Sequence, residues 1–297
     1  MNVPVMFNRR LGRNEIDRLL DLIECTKDCV TIDRIQASKF FQLDDAIAFL
    51  SSIEDEAIGG TIVYRDRTRL GMVLAAIAIK DEYRDHVLYT IIKSSLPFFR
   101  SAAIRDIDVI ISENSNTDSL GFPFSFCLPS WTRVVLERIG FVEERKLFRC
   151  TLKLARESLS KSGDISWDTK VNLEGAKSLI WDEGKISGLT NSLTWMSLDF
   201  GAHSKTLHTL TDENSTKLVF CEYNYAGIAI VSLLATREKF YANNMAVRIL
   251  SSAIRETKAT DIRFPLIGKG QLELLKTIAD EIGGSLKKES ITLMRRR

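Results

Sequence analysis

The sequence predicts an α/β fold with a mixed sheet, arranged as two domains. Three observations carry that prediction. Short apolar runs of strand length alternate with stretches whose apolar residues recur at helical spacing. The order of these elements returns after about 156 residues, the offset between two apolar strands that end near Ile79 and Ala235. A polar stretch rich in Ser, Gly and Asp, ARESLSKSGDISWDTK at 155–170, separates the two runs. The expected division is a first domain over 1–155, a linker over 156–169 and a second domain over 170–297. A chain of 297 residues is long enough to give each domain its own core.

In the first half, residues 13–25 (RNEIDRLLDLIEC) place Ile16, Leu19, Leu20 and Ile23 at helical spacing. Residues 43–53 (LDDAIAFLSSI) predict a second, short helix. The runs 57–64 (AIGGTIVY) and 71–79 (GMVLAAIAI) read as strands joined across the polar segment RDRTR, a hairpin with a longer loop. A helix over 84–101 carries Val87, Leu88, Ile91, Ile92 and Leu96 on one side, with Pro97 as a candidate kink. A β-branched strand at 106–111 (DIDVII), a helix at 130–139 and a strand pair within 141–154 follow.

In the second half, helices are expected near 172–183 and 193–209. Strands at 217–223 and 226–235 come next, then a helix over 241–257. A strand at 260–266, a helix at 270–282 and a strand at 285–294 complete the order.

Charge and motifs exclude several functions. Lys plus Arg number 41 against 39 Asp plus Glu, a formal charge of +2, which disfavours nucleic-acid binding by bulk electrostatics. The basic cluster Arg295, Arg296 and Arg297, after Lys287 and Lys288, reads as a solvated strand end. Apolar runs such as Met72 to Ile79 fall far short of the roughly 20 residues a membrane span needs. With no secretory-type apolar stretch in MNVPVMFNRRLGRNEI, a cytoplasmic protein away from membranes is expected. Five cysteines, Cys25, Cys29, Cys127, Cys150 and Cys221, show no disulfide framework and read as structural thiols, with Cys25 and Cys29 four apart on one helix. Three histidines spread over both halves make a metal centre unexpected. The segment IGKGQ around Lys269 lacks the rest of a P-loop, and no GxGxxG, GxSxG or HExxH occurs.

Four stretches carry a resemblance to the GNAT superfamily of N-acetyltransferases. LAAIAIKDEYRDHVLYTIIKSSL, Leu74 to Leu96, looks like the family's central strand with its pyrophosphate loop and helix. RDIDVIIS resembles the next strand. LERIGFVEERKLFRCTLKL, Leu136 to Leu154, resembles the family's closing helix, Gly-Phe turn and strand. IVSLLATREKFYANNMAVRILSSAI and LLKTIADEIGGSLKKESITLM repeat the same pieces in the second half. The resemblance implies two tandem GNAT-like domains and acetyl-CoA as co-substrate. The acceptor would be an amine on a small molecule or peptide.

In that family the cofactor's pyrophosphate rests on unpaired N–H groups where the helix after the central strand begins. The usual pattern there is Arg or Gln, two residues, Gly, one residue, then Gly or Ala. In the first half Arg84 matches, but Val87 and Tyr89 replace glycines and Asp85 adds negative charge. In the second half Ala246 matches and Asn244 replaces a glycine with a residue that tolerates left-handed geometry. Tyr241 there replaces the basic residue, for which Arg237 or Lys239 could substitute. The resemblance therefore assigns cofactor binding to Leu234, Ala235, Thr236, Tyr241, Ala242, Asn243, Asn244, Met245 and Ala246. The alternative set is Ile79, Arg84, His86, Val87, Leu88 and Tyr89.

For catalysis, Glu82 and His86 flank the first loop. Asn114, with Asn116, follows the strand after which the family often carries an Asn facing the cofactor arm. The family's acid Tyr is missing, since Leu136 and Ala279 stand four residues before Gly140 and Gly283. The segment Leu120 to Leu128 (LGFPFSFCL) alternates Phe122, Phe124 and Phe126, which suits an apolar wall over an acceptor cleft or a plug packed against the other domain. Trp131, Trp181 and Trp195 read as core or domain-interface residues. Two functions fit: an N-acetyltransferase, or a catalytically inactive GNAT-like ligand-binding or assembly protein.

Overall fold

The structure, a computed structural model, describes residues 5–25, 32–68, 70–101, 104–113, 120, 122–155, 167–182, 185–186, 191–212, 215–225, 227–237 and 244–297. It divides into two compact units, Met1–Arg145 with Ile291–Arg297, and Lys146–Ser290. Among the described residues no helix is long and apolar enough to cross a membrane.

The first unit runs β1 (Met6–Arg10), α1 (Ile16–Cys25), α2 (Arg34–Phe40), β2 (Ala46–Ile53), β3 (Glu56–Asp66), β4 (Gly71–Ile79), α3 (Arg84–Ser101), β5 (Asp106–Ser112), β6 (Cys127–Leu128) and α4 (Arg133–Ile139). Its sheet has the order β1-β2-β3-β4-β5, closed beyond β5 by the end of the chain's last strand. Every residue of β4 is buried, which explains its unbroken apolar run: both faces are covered. Gly59 and Gly60 let the two covering helices press in from opposite faces. A Cβ on Gly59 would stand 2.5 Å from Ile91 of α3, and one on Gly60 would stand 2.6 Å from Leu19 of α1. The face under α3 is filled by Leu88, Ile91 and Ile92 against Val63, Leu74 and Val109.

Residues 43–53 do not form the expected helix. They are β2, paired antiparallel with β1 and β3. Ile47 to Ser51 are all buried, so the segment shows no clean alternation, and a short apolar run of that kind fits either template until its partners are known. α3 continues through Pro97 to Ser101.

The second unit takes over within β7 (Val142–Lys153), a single strand and not the expected pair. It continues with α5 (Leu173–Trp181), β8 (Lys185–Ile186), α6 (Asn191–His203), β9 (Leu207–Asp212), β10 (Ser215–Tyr225), β11 (Ile228–Arg237), α7 (Asn244–Glu256), β12 (Asp261–Ile267), α8 (Lys269–Ile282) and β13 (Ser285–Arg296). The sheet order is β7-β12-β11-β10-β9. α7 and α8 pack Leu250, Ile254, Leu275 and Ile278 against Phe220, Val231 and Phe264 of the sheet. The helix expected over 193–209 stops at His203. Lys205 turns the chain at φ 58°, and Leu207 and His208 already belong to β9.

The last strand is divided between the units. The first half of β13 belongs to the second unit, but Ile291 to Arg296 pair antiparallel with Ser112 to Ile107 of β5 in the first. Arg295 anchors this return through Asp108, 2.8 Å away and 1% exposed, with Glu144 at 3.4 Å. Burial works to lower the Arg295 pKa, but the hydrogen bond and charge of Asp108, with Asp106 and Glu144, outweigh it and hold the guanidinium charged. Thr292 donates to Glu113 (2.9 Å) and accepts from Arg133 (3.1 Å). The compact units thus divide at Arg145/Lys146. Most of the expected linker, 156–166, lies outside the described residues.

Candidate functional site

Each unit has a central strand that parts from its parallel neighbour. β4 pairs with β5 only from Gly71 to Leu74, yet runs on to Ile79. Its other edge stays on β3, with Ala75 bulged out of the ladder between Leu74 and Ala76. β11 pairs with β12 only at Ala229 and Ile230, yet runs on to Arg237, and Ser232 is its bulged residue against β10. Two V-shaped clefts result, one per unit. In each, one edge of the central strand is released from its parallel partner, and a long helix begins soon after the strand ends.

The first cleft is filled by its own chain. β6 pairs in parallel with Ile110 and Ile111 of β5, whose opposite edge carries β13, so β6 stands on the β4 side. Leu128 is fully buried, as are Leu120, Phe122 and Phe124, with Phe126 nearly so. Phe122 meets Phe40 of α2 edge-on at 5.0 Å, and its carbonyl accepts from the Asp33 N–H at 3.0 Å. Cys127 and Leu128 are therefore a plug in the cleft of their own unit, while Phe122 packs on α2.

The start of α3 does not fit a pyrophosphate. A 3-10 turn at Asp81–Tyr83 precedes it, so the Tyr83 N–H bonds the Lys80 carbonyl (3.0 Å) and the Arg84 N–H bonds that of Asp81. Asp81, Glu82 and Asp85 put three carboxylates where the helix dipole would draw an anion. The Arg84 guanidinium binds Asp81 and lies 4.4 Å above the Trp131 ring. Arg84 to Tyr89 is helix and not a loop. Ile79 and Leu88 face the core, Val87 and Tyr89 are half-buried, and Tyr89 stacks under Lys93 and Arg138 at 5.2 and 5.7 Å.

Glu82 and His86 are exposed on successive helical turns. They belong to the first unit, whereas the preferred cofactor residues belong to the second. Asn114 and Asn116 lie outside the described residues, as does Cys29. Trp195 is buried, Trp131 half-buried and Trp181 49% exposed. Leu136 and Ala279 are buried core positions.

In the second cleft, Leu234, Ala235 and Thr236 are buried on β11, and the Thr236 hydroxyl donates to the Lys217 carbonyl at 3.0 Å. The Leu234 carbonyl accepts from the Gln271 amide. Gln271 is 1% exposed, and its oxygen accepts from the Gly268 N–H at 2.7 Å. β8 pairs with Thr236 and Arg237; Thr236 also pairs with Leu218 of β10, so β8 takes the cleft-side edge. Arg237 donates to the Thr216 carbonyl (3.2 Å) and to Asp182 (2.8 Å). Tyr241, Ala242 and Asn243 lie outside the described residues. Asn244 opens α7, Met245 and Ala246 sit in its first turn, and that turn holds no acidic residue.

Gln271 was missed from sequence. The signal was an amide residue at the start of the helix after a strand, the logic that singled out Asn114. In the second half the segment IGKGQ around that position resembles only part of a phosphate loop. Behind β11, the Cys221 thiol and Thr206 hydroxyl meet at 3.3 Å beneath α6. Burial pushes the Cys221 and Tyr223 pKa values up, so both stay protonated and neither is a nucleophile. Among the described residues no group of three or more His, Cys, Asp or Glu side chains is placed to hold a metal.

No family model matches the sequence, and neither does any curated protein. Solved structures do. A Pyrococcus horikoshii protein assigned to the acetyltransferases superposes with a TM-score of 0.64 at 14% identity, over 100% of this chain and 90% of its own. A tandem GNAT protein from the clavulanic acid biosynthesis pathway gives 0.61 at 6% identity, over 98% of both chains. A GCN5-related N-acetyltransferase from Sphaerobacter thermophilus gives 0.56 at 13% identity, over 98% of this chain and 95% of its own. Over its whole length, the chain has the mixed α/β fold of the GNAT N-acetyltransferases.

Proposed function

We propose that the chain is a tandem GNAT-like N-acetyltransferase whose second unit binds acetyl-CoA and passes the acetyl group to an amine of a small molecule or peptide. In this reading the first unit is structural. The observation that carries it is the released edge of β11 beyond Ile230, followed by a helix whose first turn holds no acid. The N–H groups that open α7, from Asn244 to Ala246, would hold the pyrophosphate. The backbone of Val231 to Ala235 would line the pantetheine arm, with Gln271 fixing its geometry from the facing turn. Bound acetyl-CoA supplies a thioester carbonyl open to attack by a neutral amine. The chain's part is to orient the two reactants and exclude bulk water. Neither Leu136 nor Ala279 can hand a proton to the leaving thiolate, so that proton comes from water, which takes up the one the attacking amine loses. The thiols described are free, which suits a cytoplasmic setting.

A second reading, a GNAT-like protein without catalysis, draws support from Gln271 and β8, which already engage the β11 edge. Calorimetric titration of acetyl-CoA separates the two. Ala246→Asp is expected to weaken binding about tenfold, by placing a carboxylate at the helix start. Val87→Asp is expected to leave it within about twofold. A wild type that takes up no acetyl-CoA at millimolar concentration selects the non-catalytic reading. Loss in the Val87 variant alone moves the site to the first unit.

A further inference from the structure

We propose that β8 is a displaceable strap that holds the second cleft shut and must leave β11 before acetyl-CoA can enter. The inference rests on the assignment of that cleft to acetyl-CoA. Its footing is that strap and ligand want the same groups. β8 caps the cleft-side edge of β11 at Thr236 and Arg237, at the end nearest α7. Just before β8, Asp182 at the end of α5 holds the Arg237 guanidinium. Arg237 is a cation at the end of the strand that leads to α7, where Tyr241 stands in place of the family's basic residue. While Asp182 holds it, it cannot neutralise a phosphate. Once released, it can make the charge-assisted bonds a pyrophosphate needs.

The strap is attached lightly compared with its neighbours. Only two residue pairs join β8 to β11, whereas β10 pairs with β11 from Leu218 to Tyr225. The Asp182–Arg237 pair is one-third exposed on both sides, so water screens it. Gln271 differs: it is fully buried and holds two backbone groups at once, which makes it a fixed wall of the cleft. A closed strap lowers the apparent affinity by the fraction of molecules that are open. Loosening it therefore tightens binding through the open fraction, and freeing Arg237 adds its charge to the site.

Two variants test this on the full chain. Asp182→Asn weakens the hold on Arg237. Ile186→Pro removes the Ile186 N–H and its ladder position. Acetyl-CoA is titrated into each by calorimetry, with the emission of half-exposed Trp181, next to Asp182, as a second readout in a background where Trp131, Trp167 and Trp195 are replaced by Phe. Ile186→Pro is expected to bind about tenfold tighter than wild type, and Asp182→Asn, which weakens only a screened ion pair, about threefold tighter. The Trp181 signal that wild type shows only on adding acetyl-CoA should already be present in the Ile186→Pro protein. Circular dichroism checks the fold, and Asp182→Asn carries the test alone if the proline variant unfolds. Equal affinities in all three proteins overturn the strap and leave the acetyl-CoA site standing. Weaker binding in the variants also overturns it, by making β8 part of the ligand's own contacts. Absence of binding in all three removes the acetyl-CoA assignment and the strap with it.

Discussion

The two units repeat one plan and differ in how the plan is completed. Both part a central strand from its parallel neighbour, and both bulge that strand, at Ala75 and at Ser232. Parting exposes N–H and C=O groups that a buried strand cannot leave unpaired. The first unit answers with the short apolar strand β6, ending in fully buried Leu128, and places acids at the helix start. The second answers with one amide side chain and a two-residue strand, and its helix start is free of acid. A cleft filled by core residues has become structure. The second cleft is closed by a few polar contacts, and the proposed function gives it to the ligand.

The largest effect that would sharpen this comparison is expected from Arg295→Met. It strands the Asp108 carboxylate in the sheet of the first unit, a loss of about 3–5 kcal/mol. Urea denaturation should then resolve two transitions, with only the one from the first unit shifted. A single transition moving as a whole would mean that the units are not separate in stability. Next comes Leu128→Ala, which empties part of the plug at a cost of about 2–5 kcal/mol. Acetyl-CoA binding should not change, because the acidic start of α3 remains. A gain of a second binding equivalent would break the contrast between the clefts.

The smallest effect concerns thiols. Burial pushes Cys150 up to about 12 and raises Cys221 as well, and both belong to the second unit. A pKa raised in the folded state gives stability that is intact below the ordinary thiol value and is lost as pH rises above it. The second unit's transition should therefore weaken above about pH 9 while the first unit's holds better. In native protein a disulfide reagent should label exposed Cys25 and spare Cys150 and Cys221.

Much of the fold was legible because the strands that matter are apolar along their whole length. β4 occupies the residues its sequence pattern indicated, and the second unit's central strand, its helices α5, α7 and α8 and its final strand lie within a few residues of expectation. Three features were not legible, each for a physical reason. β2 is buried throughout its middle and carries no period to read. α6 ends where Lys205 adopts a left-handed conformation without the glycine that usually announces one. The divided last strand pairs β5 with residues near the far end of the chain, so the polar stretch at 156–169 reported a change in composition and not the limit of a compact unit. The candidate site divided in the same way. The β11 residues and the start of α7 follow one another in sequence, while Gln271 reaches Leu234 across 37 positions.

The returning half of β13 also sets an order of events at the ribosome. Residues 1–145 emerge first, but the β5 edge of their sheet stays open until residues 291–296 are made. The second unit needs nothing beyond residue 290, so it can close earlier. The half synthesised first is the half finished last, and its open strand edge is the surface most exposed to wrong pairing during that wait.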